Sequence, residues 1–257
     1  MTQDRGKTIL ITGASTGIGR ALALEYARRG AKVGVTARRR ELLDELAGEA
    51  RAAGGTIETV VCDVSDRSAC HAALHELEGK LGPCDLLIAN AGVSAETGAD
   101  PMNVPGVVLM TNVNYLGAVY AFEAVLPGML ARGRGHLSAV SSMAAYKGLP
   151  GAAGYCACKA ALSTYCESLR IELWPRGVAM TCIYPGFVTT PMTSKNSNPM
   201  PWIMTPERAA GIIARRLPSK PGRLHFPLRM KWLMWLSKWA PDRFIRKRIG
   251  IKVAVHE

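Results

Sequence analysis

Thr8-Ile9-Leu10-Ile11-Thr12-Gly13-Ala14-Ser15-Thr16-Gly17-Ile18-Gly19 is the stretch on which the fold turns. A β-branched, aliphatic run enters a loop with three glycines, and residues 21–29 then carry apolar side chains at helical spacing. Strand, glycine-rich turn and helix in that order bring backbone N–H groups to a helix N-terminus. There they can cradle a pyrophosphate, and the glycines let the backbone approach it. The spacing is G-x-x-x-G-x-G and not the common G-x-G-x-x-G, so the loop alone leaves a purely structural turn open.

Working outward, residues 32–36 read as a second strand whose end selects the dinucleotide. An Asp or Glu there would accept hydrogen bonds from an adenosine ribose and repel a 2′-phosphate. The chain instead has Ala37-Arg38-Arg39-Arg40, with Glu41 the first acid. Guanidinium matches phosphate oxygens geometrically, so Arg38, with Arg39 beside it, favours NADP(H) over NAD(H). Helical patterns and short apolar segments then alternate over residues 42–53, 56–62, 68–81 and 85–89. Right-handed crossovers between buried parallel strands give that rhythm. The expected fold is α/β: a doubly wound, mostly parallel, Rossmann-like sheet with helices on both faces. Ligands sit at the carboxyl ends of the strands in such sheets. Asp63-Val64 follows the third strand, and the carboxylate could accept from an adenine amine. Asn90-Ala91-Gly92 follows the fourth, where Gly92 lets the chain pass close to a cofactor; turn chemistry would account for either.

Residues 113–131 read as a long helix with Asn114 near its start, 137–141 as a strand, 155–173 as a helix and 178–184 as a strand ending in Pro185-Gly186. Tyr155 and Lys159 lie one helical turn apart on one face, and Ser142 closes the strand before them. A phenol with a reference pKa of about 10 is a poor acid or base at neutral pH. A neighbouring ammonium favours the phenolate and draws that pKa towards the working range. Tyr-x-x-x-Lys also arises by chance on solvated helices, so the pair takes its meaning from the order around it.

With these residues in place, the chain over roughly residues 7–192 resembles the short-chain dehydrogenase/reductase family. The resemblance is carried by Thr12-Gly13-x-x-x-Gly17-Ile18-Gly19, Asn90-Ala91-Gly92, Asn114-x-x-Gly117, Ser142 thirteen residues before Tyr155, Lys159, and Pro185-Gly186-Phe187-Val188-Thr189-Thr190. It implies hydride transfer between a ketone and a secondary alcohol. It also implies a catalytic group of Asn114, Ser142, Tyr155 and Lys159, with Asn112 and Ser141 as the neighbouring alternatives. Ser142 and Tyr155 would hold the substrate oxygen and Tyr155 move the proton. Lys159 would lower the phenol pKa and bond the nicotinamide ribose, and Asn114 would hold a water leading to solvent. Cofactor contacts would fall on Gly13, Ser15, Thr16, Gly17, Ile18, Gly19, Arg38, Arg39, Asp63, Val64, Asn90, Ala91, Gly92, Tyr155, Lys159, Pro185, Gly186, Val188 and Thr190. A homodimer or homotetramer through the helices at 113–131 and 155–173 follows from the same resemblance.

Beyond Met192 the family pattern thins. A lid over about residues 187–217 is expected, its closing part at 193–204, and the substrate contacts with it are Ser142, Met143, Tyr155, Phe187, Met192 and Trp202. Apolar walls with few polar anchors suit a bulky or lipid-like ketone or alcohol; the same residues could instead pack the lid on the core. Broad carbonyl reduction without a lipid substrate is the alternative among enzymes, and a non-catalytic dinucleotide-binding interaction protein the alternative outside them. Ser142, Tyr155 and Lys159 speak against the latter, because binding alone needs no tuned phenol.

At 257 residues the chain is long enough for one large domain, placed at 1–226, followed by a basic extension at 227–257. No apolar run reaches the roughly 20 residues of a bilayer span, and residues 1–7 lack the apolar segment of a signal peptide, which makes the cytosol the default compartment. Seven cysteines, an odd number set mostly in apolar segments, read as reduced core thiols, and no metal site is expected. The net charge of +12 is local: residues 208–252 hold thirteen basic residues and one acid, Asp242, and the rest of the chain is neutral. In that region Leu228, Trp232, Trp235 and Trp239 stand at helical spacing among cations. Such a helix can lie in an anionic membrane interface, which puts peripheral contact with the inner membrane face beside packing on the domain or on a second subunit. The charge is tied to no nucleic-acid-binding module, so nucleic acid is not an expected partner.

Overall fold

The computed structural model describes residues 4–194, 199–237 and 239–241. Seven strands form one parallel sheet in the order β3-β2-β1-β4-β5-β6-β7. They are β1 (Thr8–Thr12), β2 (Lys32–Ala37), β3 (Ile57–Val61), β4 (Leu86–Ala89), β5 (Gly135–Val140), β6 (Val178–Pro185) and β7 (Arg223–Phe226). Strands β1 and β4 are neighbours although two strands separate them in sequence, so the order reverses between them and opens a crevice at their carboxyl ends. This is the Rossmann-like α/β architecture expected, with every pairing parallel.

Strand alternation decides which helices cover which face. Ile9, Ile11, Val33 and Val35 point to one side, where α1 (Gly17–Arg28), α2 (Arg40–Ala52) and α7 (Pro206–Arg216) close over them. Leu10, Leu87, Leu137 and Met180 point to the other, under α3 (Arg67–Leu81), α5 (Gly117–Ala131) and α6 (Ala153–Leu173). Helix starts follow local chemistry: Asp66 caps α3 by accepting from Ala69 N at 3.0 Å, and Thr205 caps α7 at 3.3 Å from Arg208 N, with Pro206 in the first turn. All seven cysteines are buried and unpaired, as core residues.

Two elements differ from the sequence reading. The helix expected at 113–131 begins earlier, as α4 (Val104–Met110), and passes through a π-helical turn, Thr111–Leu116, into α5. Asn114 therefore lies mid-helix in a widened turn. The whole run, Val104–Ala131, is long and apolar enough to cross a membrane by length and composition, but half of its apolar window is buried inside this domain. Strand β7 and α8 (Leu228–Ser237) then complete the described chain at the sheet edge. Most of the charged end of the expected extension, 242–257, and Lys238 lie outside the described residues.

Candidate active site

Hydrogen bonds between strand ends shape the glycine loop. Thr12 Oγ1 accepts from Asn90 N at 3.1 Å and Ala91 N at 3.2 Å, while the Asn90 amide donates to the carbonyls of Thr12 at 3.0 Å and Gly13 at 3.1 Å. The chains are drawn so close that a Cβ at Gly13 would stand 2.5 Å from Ala91 Cα, and one at Gly19 would collide with the Asn90 amide. Gly13 also has φ +70°, a region that favours glycine. The first turn of α1 holds no acid, and Thr16 at its N-cap makes no side-chain capping bond. Its leading N–H groups are thus free for an anion at the positive end of the helix dipole, which fits the pyrophosphate of a dinucleotide. Thr190 crosses over this loop: a Cβ on Gly17 would meet Thr190 Cγ2 at 2.9 Å. Ile18 packs partly buried against the core beneath it.

At the end of β2 the two arginines divide. Arg39 Nη2 donates to Ser15 Oγ at 2.8 Å and Thr16 Oγ1 at 3.3 Å, joining strand end to loop. Arg38 is exposed, with its guanidinium 3.8 Å from the Asp63 carboxylate. Burial pushes the Asp63 carboxyl up, but hydrogen bonds from Ser65 and the charge of Arg38 outweigh it, so the group stays below the usual range. Both arginines thus lie at the carboxyl end of β2, Arg39 turned to the glycine loop and Arg38 to the Asp63 carboxylate. Val64 is buried against Gly117, whose lack of a side chain admits it: a Cβ there would meet Val64 Cγ2 at 2.8 Å.

Strand β4 links this cradle to the reacting groups. A Cβ on Gly92 would lie 3.4 Å from Asn114 Oδ1 and 3.7 Å from Lys159 Nζ. Asn114 is buried; its Oδ1 accepts from Val93 N at 2.7 Å, and its Nδ2 donates to Val93 O at 2.9 Å. These two bonds brace the chain after β4. The sequence signal for the π turn is a pair of asparagines, Asn112 and Asn114, inside an otherwise apolar helix.

Ser142 follows β5. Ala144 N donates to its Oγ at 3.1 Å, which leaves the hydroxyl proton to act on the Tyr155 phenol, whose pKa Ser142 draws down. Ser141 faces inward instead, donating to the backbone carbonyl of Lys159 at 3.0 Å and lying 2.8 Å from Ser163 Oγ. Lys159 Nζ is buried, donates to Val140 O at 2.8 Å and lies 5.8 Å from the Tyr155 ring centroid. Its expected lowering of the phenol pKa is not realised in the protein alone. Burial raises Tyr155, only partly opposed by the Ser142 hydroxyl, and lowers the ammonium to about 8. The physical reason is that both groups have lost hydration while the ammonium is bonded to Val140.

On the substrate side, Phe187 and Met204 pair through Met204 N to Phe187 O at 3.1 Å and Thr189 N to Met204 O at 2.9 Å, pinning the base of the expected lid. Residues 195–198 of that lid lie outside the described residues. Met192, Trp202 and Ile203 are exposed and so do not pack the lid on the core; Trp202 has φ +55°, uncommon for a bulky residue. Phe187 is half-buried. Met143, expected at the substrate, is 3% exposed: the 3₁₀ turn after Ser142 aims it into the core. Pro185 ends β6, and Gly186 donates to Phe226 O at 2.8 Å. Val188 is buried, bridged to Met204. Sequence reasoning missed the cluster behind Ser142, where the Tyr146 hydroxyl lies 2.6 Å from His225 Nε2 and the His225 ring stacks on Tyr184 at 4.5 Å. Nothing in the sequence joins positions so distant. Among the described residues no group of three His, Cys, Asp or Glu side chains is placed to hold a metal.

Residues 7–201 match the family model for short chain dehydrogenase. An uncharacterized oxidoreductase of Myxococcus xanthus is 42% identical over 242 residues, 94% of this chain and 96% of that one. Human epidermal retinol dehydrogenase 2 is 30% identical over 245 residues, 92% of this chain and 79% of its own. Among solved structures, a variant of actinorhodin polyketide ketoreductase with NADPH matches with a TM-score of 0.80 and 25% identity, covering 88% of this chain and 97% of that one.

Proposed function

The chain belongs to the short chain dehydrogenase family and is an oxidoreductase of that family; from this premise we propose that it interconverts a bulky, apolar ketone and its secondary alcohol with NADP(H). The observation that carries the reading is the buried Lys159 amine, one helical turn from Tyr155 and beside Gly92, in the crevice that the open N-terminus of α1 also faces.

When bound, the nicotinamide dinucleotide supplies the hydride for reduction and accepts it in oxidation. The hydroxyls of Ser142 and Tyr155 orient one substrate oxygen and stabilise charge developing on it. Tyr155 gives its proton to that oxygen in reduction and takes it back in oxidation. Burial keeps the phenol protonated at neutral pH, the form that reduction needs. Lys159 is charged below about 8 and would bond the nicotinamide ribose beside Gly92. Arg38 and Arg39 hold the 2′-phosphate, and Met192, Trp202 and Ile203 offer apolar surface to the substrate. The retinol dehydrogenase relative and the ketoreductase with NADPH support an apolar alcohol and a phosphorylated dinucleotide respectively. Copies associate as a dimer or tetramer through α5 and α6.

The test is NADPH oxidation against ketones of increasing chain length, with NADH run in parallel. Each added methylene is expected to raise kcat/KM by roughly fourfold until the site is filled. Rates indifferent to chain length would remove the apolar substrate, and equal use of NADH would remove the cofactor preference.

A further inference from the structure

Helix α8 turns an apolar side outwards. Met230 is buried and Met234 partly so, both against the core, while Leu228, Leu233 and Leu236 are exposed. Trp232, Trp235 and Trp239 are 57%, 46% and 79% exposed. Packing on the domain, one of the three roles open to these tryptophans from sequence, is thereby removed. Trp232 and Trp235 meet edge to face at 6.1 Å, and Lys231 Nζ lies 5.4 Å from the Trp232 ring. No acid lies on the helix, and the chain's whole charge excess is concentrated between residues 208 and 252. Exposed indoles beside cations match the amphipathic zone of a bilayer carrying negative headgroups.

The position of this helix matters as much as its composition. It packs on β7 and on the turn that follows Ser142. A Cβ on Gly186, directly after β6, would meet Met230 Sδ at 2.7 Å and Pro227 Cδ at 3.0 Å, so the bare residue is what lets α8 settle there. The tryptophan face and the substrate side of the site thus share a wall.

We propose that α8 docks the enzyme on an anionic lipid bilayer and that substrate reaches Ser142 and Tyr155 from that bilayer. The docking stands on the exposed face alone; the delivery rests on the apolar substrate proposed above.

The experiment sediments the full-length protein with vesicles of phosphatidylcholine and with vesicles of phosphatidylcholine mixed with phosphatidylglycerol, in low and high salt. Arg229 and Lys231 alone predict partition roughly 30-fold tighter on the anionic vesicles, lost in high salt. Trp232→Ala with Trp235→Ala is expected to abolish binding while leaving NADPH-dependent turnover of a water-soluble ketone unchanged. Arg229→Glu with Lys231→Glu, at an exposed and a half-buried position outside the core, should do the same if the tryptophan pair fails to fold. Equal binding to both vesicle types overturns the docking. So does a dimer that the tryptophan substitutions dissociate without any vesicle binding, since a second copy would then cover the face. Sedimentation reads the surface and NADPH oxidation reads the site, so either idea can fail alone.

Discussion

On the β1–β3 side of the sheet the cofactor cradle is built from main chain, whereas on the β5–β7 side the reacting group is built from side chains. The cradle depends on Gly13 lying against Ala91 and Gly19 against the Asn90 amide, where no larger residue fits. The reacting group depends on hydroxyls and an amine held by neighbours: Ser142 by Ala144 N, Lys159 by Val140 O. A site made of main chain fails together with the fold when it is altered. A site made of side chains can lose its chemistry and keep its structure.

Tyr155→Phe gives the largest effect and sharpens that contrast. Turnover should fall by about 100- to 10,000-fold, with NADPH binding and the melting temperature little changed; retained turnover refutes the assignment of the proton to this phenol. On the other side, Gly13→Ala should cost stability and dinucleotide affinity together. Its Cβ would meet Ala91 backbone in a left-handed region, at roughly 1–3 kcal/mol by urea denaturation. An intact melting curve with lost binding would break the comparison.

Acid titration tests the packing beneath the side-chain half. Burial lowers His136 to about 3, and His225 to about 4, from an unfolded value near 6.5. A depressed pKa on a base means the stability is fully present above about 6.5 and is lost as pH falls towards the folded values. His136 alone should cost up to about 2 kcal/mol between pH of about 6.5 and 5. Urea midpoints across that range should slope, and less so in His136→Gln; a flat profile would place a charged imidazole where the structure has a neutral one. The smallest effect tests an exposed side chain at the rim of the cradle. Arg38→Ala should raise the KM for NADPH roughly tenfold and leave NADH unaffected; a parallel change for both would return Arg38 to a role with Asp63 alone.

The sequence displays the cradle well because backbone contact leaves a mark in composition: glycine at fixed intervals after a β-branched run. It hides α4, since Pro105-Gly106 looks like a breaker, yet proline is tolerated in a first turn and Asn103 caps it by accepting from Gly106 N at 2.9 Å. It hides β7 because four residues, Arg223–Phe226, are too few to show alternation. It displays the Tyr155–Lys159 pair but not the Val140 carbonyl waiting for the amine, and so it misjudges the sign of the phenol shift. Distances between remote elements are the part that spacing along a chain does not encode.

Because all seven thiols are enclosed, the folded enzyme offers a chromogenic disulfide reagent almost nothing to attack. Labelling kinetics then become a clock for local opening, with no added probe. Cys62 and Cys70 time the region beside the adenine end, and Cys156 and Cys158 time the helix that carries the phenol and the amine.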